Sequence, residues 1–300
     1  MNNNISDCNY HTLIMKLIPV NLILEGGAMR GMFTAGVLDV LGEKNLLFDF
    51  VIGVSAGSCM GASYISRQIG RSRKITLTYR HDPRYISLHN LLREGNLFSA
   101  QFAYEEIPRK LIPFDYQTFE QSPQRFVVVA TDCMTGQAVY LKNDTPKHID
   151  NMIQCIRASA SMPFLSKPVL IENMHLLDGG IADSIPIEYA MRNGHTKSVL
   201  ILTRPKGYNK KSKGYSGLFK FFMPRYPLLA EALYRRAEKY NHSLALAEQL
   251  AEEGKCLIIY PPEDIKVGRL EGNLKKLEDM YQAGYKAGLE CVTTLTTFAN

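Results

Sequence analysis

Two short stretches of this chain hold residue types that can do acyl chemistry together. Phe50-Val-Ile-Gly53-Val-Ser55-Ala-Gly57 is an apolar run that breaks at Gly53-x-Ser55-x-Gly57, the pattern of a nucleophile elbow. In such an elbow a serine sits on a strained strand-to-helix turn, and flanking glycines let the backbone pass without Cβ clashes. Leu22-Ile-Leu-Glu-Gly26-Gly27-Ala28-Met-Arg30-Gly31 is a second apolar run that breaks into a glycine turn. Its free backbone N–H groups can converge on one point, as an oxyanion hole requires. One loop offers a nucleophile and the other can stabilise the charge it creates, a pairing that points to acyl transfer.

Other uses of the glycine loop fit less well. Gly26 and Gly31 have P-loop spacing, but Met32 and Phe33 stand where lysine and a hydroxyl residue are needed. A dinucleotide fingerprint needs glycine at position 28, which is Ala28. A tight turn without a ligand, and a Ser55 that only caps its helix, stay open as bland alternatives.

A serine hydroxyl is a poor nucleophile and needs a base within hydrogen-bond reach. Asp178 ends the apolar run Met174-His-Leu-Leu177 and precedes Gly179-Gly180, which sets it at a strand's C-terminal edge, where open α/β sheets build their sites. The competing reading of Asp178-Gly179 is a hairpin turn. An aspartate, with an unperturbed pKa of about 3.9, is a weak base. The helix dipole at Ser55 and backbone oxyanion donors, about 3–4 kcal/mol each, must then carry much of the barrier. Arg30 either orients the glycine loop, meets a substrate phosphate, or is a solvated surface arginine.

A Ser-Asp-His triad of the α/β-hydrolase type is the rival wiring, since His195 and His242 follow Asp178 in the chain. His195 lies in a polar stretch that reads as a helix C-cap turn, and His242 sits mid-helix among charges. His11, His81, His89, His148 and His175 precede the acid and show no metal-ligand spacing. The expectation is therefore a dyad without histidine.

In chain order, Gly26-Gly27-Ala28-Met29-Arg30-Gly31, Gly53-Val54-Ser55-Ala56-Gly57, Ala158-Ser159-Ala160-Ser161-Met162-Pro163 and Asp178-Gly179-Gly180 resemble the G-G-G-x-R-G, G-x-S-x-G, A-S-x-x-x-P and D-G-G/A blocks of patatin-like phospholipases. The resemblance covers 20–205. It implies a three-layer α/β/α fold with a mostly parallel central sheet, and a lipid or ester substrate cleaved at its carboxyl ester through an acyl-enzyme. It also implies Ser55 as nucleophile, Asp178 as base and Gly26, Gly27 and Ala28 as oxyanion donors. Arg30, Gly31, Gly53, Gly57, Gly179 and Gly180 would support them, with neither metal nor cofactor required. Ala28 departs from the pattern by replacing the third glycine. It still supplies an N–H, so the hole survives provided its φ is negative. A non-catalytic lipid-binding protein on this fold and a nucleic-acid-binding protein remain as rivals.

The elements that must hold these residues read as an α/β alternation. Strand-like runs at 20–24, 50–54, 125–131, 198–203 and 256–260 alternate with helical stretches, which argues a mostly parallel sheet. Stretches 137–141 and 169–177 read as added antiparallel strands. The catalytic domain is expected over 15–205, with 74–123 as a helical insertion whose other reading is a cap over the site. Residues 206–300 read as a basic linker and a helical C-terminal extension packed on that domain: helix, strand (256–260), helix (272–289). Residues 1–14 read as a dispensable extension ahead of Met15-Lys16-Leu17.

At 300 residues, 46% hydrophobic and 21% charged, the chain suffices for one large α/β domain with additions. Six cysteines without a C-x-x-C pair suit free thiols in a reducing compartment. The N-terminus lacks the basic and small-residue signals of a leader, and 13–24 is too short to span a bilayer, so a cytoplasmic location is expected. Seven basic residues (Arg204, Lys206, Lys210, Lys211, Lys213, Lys220, Arg225) occur between 204 and 225 with no acid, against a net +6 for the whole chain. Tyr208, Tyr215, Phe219, Phe221, Phe222 and Tyr226 are interleaved with them. Such a stretch is a solvated loop, a peripheral contact with an anionic inner membrane surface at about 1 kcal/mol per basic residue, or a nucleic-acid patch, the last not expected.

Overall fold

The computed structural model describes residues 17–145, 151–211 and 224–298. The extension read at 1–14 lies outside them, as do Cys8, His11, His148, Lys213 and Lys220.

Eight strands form one sheet: β1 (Ile18–Leu24), β2 (Phe48–Val54), β3 (Arg125–Asp132), β4 (Ala138–Lys142), β5 (Val169–Ile171), β6 (Met174–Asp178), β7 (Ser198–Ile201) and β8 (Cys256–Ile259). Their order is β5-β6-β3-β2-β1-β7-β8, with β4 also on β3. The pairs among β3, β2, β1, β7 and β8 are parallel, and β4, β5 and β6 join antiparallel. The helices are α1 (Met32–Glu43), α2 (Ala56–Ile65), α3 (Arg71–Tyr79), α4 (Leu88–Glu94), α5 (Tyr116–Glu120), α6 (Met152–Ala160), α7 (Ile187–Asn193), α8 (Pro227–Glu252) and α9 (Leu274–Phe298).

Alternation of side chains explains the layers. β1 sends Val20, Leu22 and Leu24 to one face and Ile23 to the other, and β2 sends Val51 one way and Phe50, Ile52 and Val54 the other. Strands apolar at consecutive positions must be covered on both faces. α1, α2, α6 and α9 pack on the first face, and α7 and α8 on the second. The result is the three-layer α/β/α architecture with a mostly parallel sheet.

The end of β7 differs from the 198–203 read in the sequence. Leu202 still donates to Ile259 O at 3.0 Å, but the Thr203 N–H leaves the ladder for Glu25 Oε2 at 2.6 Å. The C-terminal part is woven into the same body. β8 extends the sheet beside β7, α8 covers one face, and α9 lies against α1 on the other. α9 continues past the 272–289 read in the sequence because Cys291 and Leu295 remain buried. Tyr281 and Tyr285 hydroxyls donate to Asp39 and Glu43 of α1 at 2.7 and 2.6 Å.

Residues 74–123 contribute part of α3, then α4, α5 and a π-helical stretch Phe102–Leu111 that takes in Pro108. Among the described residues, no helix is long and apolar enough to cross a membrane.

Candidate active site

The register of β3 brings Ser55 and Asp178 together. Val127, Val128 and Val129 pair with both β2 and β4, while Ala130 and Thr131 pair with both β4 and β6. A strand has two edges, so β2 and β6 must share one edge of β3, end to end. Val54 faces Val129 and Asp178 faces Ala130. Asp178 thus stands one step beyond Val54, where Ser55 turns out of the sheet. Ser55 Oγ donates to Asp178 Oδ2 at 2.7 Å. The hairpin reading of Asp178-Gly179 does not hold: the β5–β6 turn falls at Glu172 and Asn173, both with positive φ, and Asp178 opens a 3-10 turn.

Ser55 has φ 55° and ψ −121°, a left-handed strain that a serine adopts only when its surroundings force it. Gly57 shows the force: a Cβ there would stand 2.4 Å from Leu24 O. Gly53 packs against the backbone of Ser58 in the same elbow. The Ser55 N–H donates to Ser159 Oγ at 2.8 Å, and Ser159 Oγ donates to Val129 O at 2.5 Å. Ser159 therefore locks the elbow to β3, a role that its place in the Ala158-Ser159 block signalled without specifying.

Asp178 is held from several sides. Its Oδ1 accepts from the Gly180 N–H at 2.8 Å, its N–H donates to Ser161 O at 2.8 Å, and its carbonyl accepts from Thr131 Oγ1 at 2.9 Å. Gly179 packs on Val129.

The glycine loop leaves β1 beside the elbow, with Gly26 against Ser55 and Gly31 against Ala56. No N–H of Gly26, Gly27 or Ala28 reaches an acceptor among the described residues. The condition set on Ala28 is not met, since its φ is +50°. The chain turns at once into a 3-10 turn, with Arg30 N–H donating to Gly27 O at 3.2 Å, and Ala28 enters it from the left-handed region instead of the negative φ of a regular 3-10 residue. An alanine there carries about 1–2 kcal/mol of strain, and its N–H nonetheless stays free.

Glu25 and Thr203 were not singled out in the sequence. Buried Glu25 accepts from Thr203 Oγ1 at 3.0 Å as well as from its N–H, and Thr203 Oγ1 lies 2.9 Å from Gly26 O. A carboxylate closing an otherwise apolar strand was the available signal. Arg30 orients the loop: its buried Nε donates to Thr203 O at 3.1 Å. Burial, and next Arg204, push its guanidinium down to about 10.

Neither candidate histidine reaches the pair. His195 Nε2 contacts Asp49 Oδ2 at 2.6 Å at the start of β2, five residues before Val54 and so about 16 Å down the strand from it. His242 is exposed on α8, 3.5 Å from Glu188. Among the described residues, no group of three His, Cys, Asp or Glu is arranged to hold a metal.

Ser55, Ala28 and Met162 line two cavities at once. One, of about 160 Å³, is walled by apolar side chains such as Met32, Met60, Ile75, Phe98 and Ile156. Ile75, Tyr85, Phe98, Tyr104 and Phe114 of that wall come from the 74–123 insertion. Cys59 also faces it, and burial pushes its thiol up to about 11. The other cavity, of about 690 Å³, is polar and includes Glu25, Arg30, Asp178, Arg204, Lys210 and Arg236. Lys210 is thus not open surface, as the reading of 204–226 expected: it is half-buried, its Nζ 3.8 Å above the Tyr240 ring.

A family model described as patatin-like phospholipase matches residues 22–191, and one for a domain of unknown function, DUF6363, matches residues 226–300. The uncharacterized protein YjjU of Escherichia coli (strain K12) is 28% identical over 285 residues, which cover 92% of this chain and 78% of that protein. Lysophospholipase NTE1 of Coccidioides immitis is 27% identical over 317 residues; the match takes in 96% of this chain but only 18% of that protein. The crystal structure of VipD from Legionella pneumophila superposes with a TM-score of 0.52 over 92% of this chain and 67% of that chain, at 13% identity, a likeness of fold.

Proposed function

The chain belongs to the patatin-like phospholipase family, and on that premise we propose that it is a serine acyl hydrolase that cleaves carboxyl esters of lipids with a Ser55–Asp178 dyad. The observation that carries this reading is the 2.7 Å hydrogen bond from Ser55 Oγ to Asp178 Oδ2, at a strained elbow opening on an apolar cavity. Ser55 Oγ attacks the ester carbonyl while its proton passes to Asp178 Oδ2. The oxyanion meets the free N–H groups of Gly26, Gly27 and Ala28, and the N-terminus of α2 adds its dipole. Collapse breaks the C–O bond, and the leaving alcohol takes the proton from Asp178. Water then gives its proton to Asp178 as its oxygen attacks the acyl carbon, and collapse breaks the bond to Ser55 Oγ, which takes that proton back from Asp178 as the carboxylic acid leaves. The acyl chain occupies the apolar cavity. The name of the Coccidioides relative, a lysophospholipase, agrees with a lipid ester as substrate. A fluorophosphonate probe should label the chain at Ser55, mapped by peptide mass spectrometry; an unlabelled Ser55 would remove the enzyme reading.

His195→Gln and His242→Gln are expected to retain most of the hydrolysis of short p-nitrophenyl esters. The pH–rate profile should show no limb near about 6.5, where an unperturbed imidazole titrates. A loss by either variant as deep as that of Ser55→Ala would replace the dyad with a triad.

Docking on an anionic lipid surface we assign to Lys206 and Lys211, which are exposed on the described part of the basic stretch. Replacing both by Gln should weaken co-sedimentation with phosphatidylglycerol vesicles, and raising salt should weaken the parent, since screening acts over about 10 Å at 0.1 M. Salt-insensitive binding, or equal binding by the variant, would leave the stretch a solvated loop.

A further inference from the structure

The polar cavity beside the dyad is built from stretches far apart in the chain. Arg30 comes from the glycine loop, Arg204, Lys210 and Lys211 from the segment after β7, Arg236 from α8, and Arg269 from the segment before α9. Among the described residues only two carboxylates line the cavity with these six cations, and both are already engaged. Glu25 accepts from Thr203, and Asp178 from Ser55 and Gly180. Among the described residues none of the six makes an ion pair.

Arg236 stands beside Asp178 across Gly180. Gly180 has no side chain, and Arg236 Nη2 lies 3.0 Å from where its Cβ would stand, with Asp178 Oδ1 at the same distance from that point. The Arg236 Nε is buried without a hydrogen-bond partner, a state that costs free energy unless an acceptor arrives. Burial and then the neighbouring Arg236 hold the Lys210 ammonium well below the usual lysine range, and burial lowers Arg236 too. Cations crowded in this way gain from an anion placed among them. Arg269 is exposed at the rim, and its carbonyl accepts the Met29 N–H at 3.3 Å, tying its segment to the glycine loop.

We propose that this cavity is a chamber for a phosphate-bearing, anionic head group, and that Arg236 and Arg269, both from the C-terminal segment, determine that specificity. The assignment rests on the hydrolase reading: Ser55 stands where the two cavities meet, so the scissile ester lies between an acyl chain on the apolar side and a phosphate on the cationic side. It gives the C-terminal segment a part in choosing the substrate.

The test uses the full chain carrying Ser55→Ala, so that binding is read without turnover. Calorimetric titration compares an eight-carbon lysophosphatidylglycerol, mono-octanoylglycerol and inorganic phosphate. The phospholipid should bind at least about tenfold tighter than the neutral glyceride, and Arg236→Gln and Arg269→Gln should each lower its affinity about tenfold, the scale of one charge-assisted contact. Arg236→Lys should restore part of the loss, and exposed Arg269 guards against a result that reflects misfolding. In the chain with Ser55 intact, the ratio of kcat/KM for the phospholipid to that for the glyceride should fall in step. Equal affinity for the two lipids, or equal loss of both in the variants, overturns the proposal. Inorganic phosphate binding as tightly as the phospholipid overturns it in favour of a free-anion site. Arginine-dependent phospholipid binding without any ester hydrolysis supports the chamber and defeats the hydrolase reading instead.

Discussion

Replacing Ser55 by Ala, or Asp178 by Asn, is expected to lower kcat for short p-nitrophenyl esters by about 10³-fold or more while the far-UV circular dichroism stays that of the parent. Ser55→Ala removes the atom proposed to form the acyl-enzyme. The strained φ of 55° belongs to the elbow backbone and persists without the hydroxyl, since Gly57 and Ser159 impose it. Asp178→Asn preserves shape and leaves an amide oxygen to accept from Gly180 N–H, but it removes the charge proposed to take the Ser55 proton. The two variants should be equally impaired, because nucleophile and base act as one unit. Fluorophosphonate labelling should vanish in the first and slow in the second. A folded Asp178→Asn protein that keeps most of its kcat would strip Asp178 of its role, and the same result for Ser55→Ala would strip the elbow of its chemistry.

Gly284→Leu is expected to destabilise the protein by about 3 kcal/mol or more. α1 and α9 cross backbone to backbone: a Cβ at Gly284 would lie 2.0 Å from Phe33 O, and one at Gly36 would lie 2.2 Å from Tyr281 O. No side chain stands between them that could move aside, so the helices must separate. Separation also breaks the Tyr281–Asp39 and Tyr285–Glu43 hydrogen bonds and the 2.7 Å Arg73–Glu278 ion pair. A fall in Tm of about 5 °C or more is expected for a chain of this size. Limited proteolysis should then release the C-terminal part before the remainder. A Tm within about 1 °C of the parent would mean that α9 can be held apart from α1 without loss, against the geometry.

The residues proposed to do the chemistry were legible because their signals are local. A serine between glycines at a strand's end, a glycine turn after another strand and an acid closing a third are each set by what a few consecutive residues can do. The three-layer fold was legible for the same reason: apolar residues at consecutive strand positions require cover on both faces. Pairing lies elsewhere. Whether Asp178 closed a hairpin or met Ser55 depended on β2 and β6 sharing one edge of β3, a long-range register that no window of sequence contains. Ala28 takes a left-handed φ against the sign its side chain prefers, and nothing in its local sequence announced it. The cations show the contrast most fully. In the sequence, 204–226 is a run of like charges beside aromatics, and Arg236 and Arg269 are two arginines among many. Folding turns Lys210 inward over Tyr240 and gathers it with Arg30, Arg236 and Arg269 around one cavity. A charge acquires its meaning from the charges near it in space, and tertiary packing alone decided which charges those were.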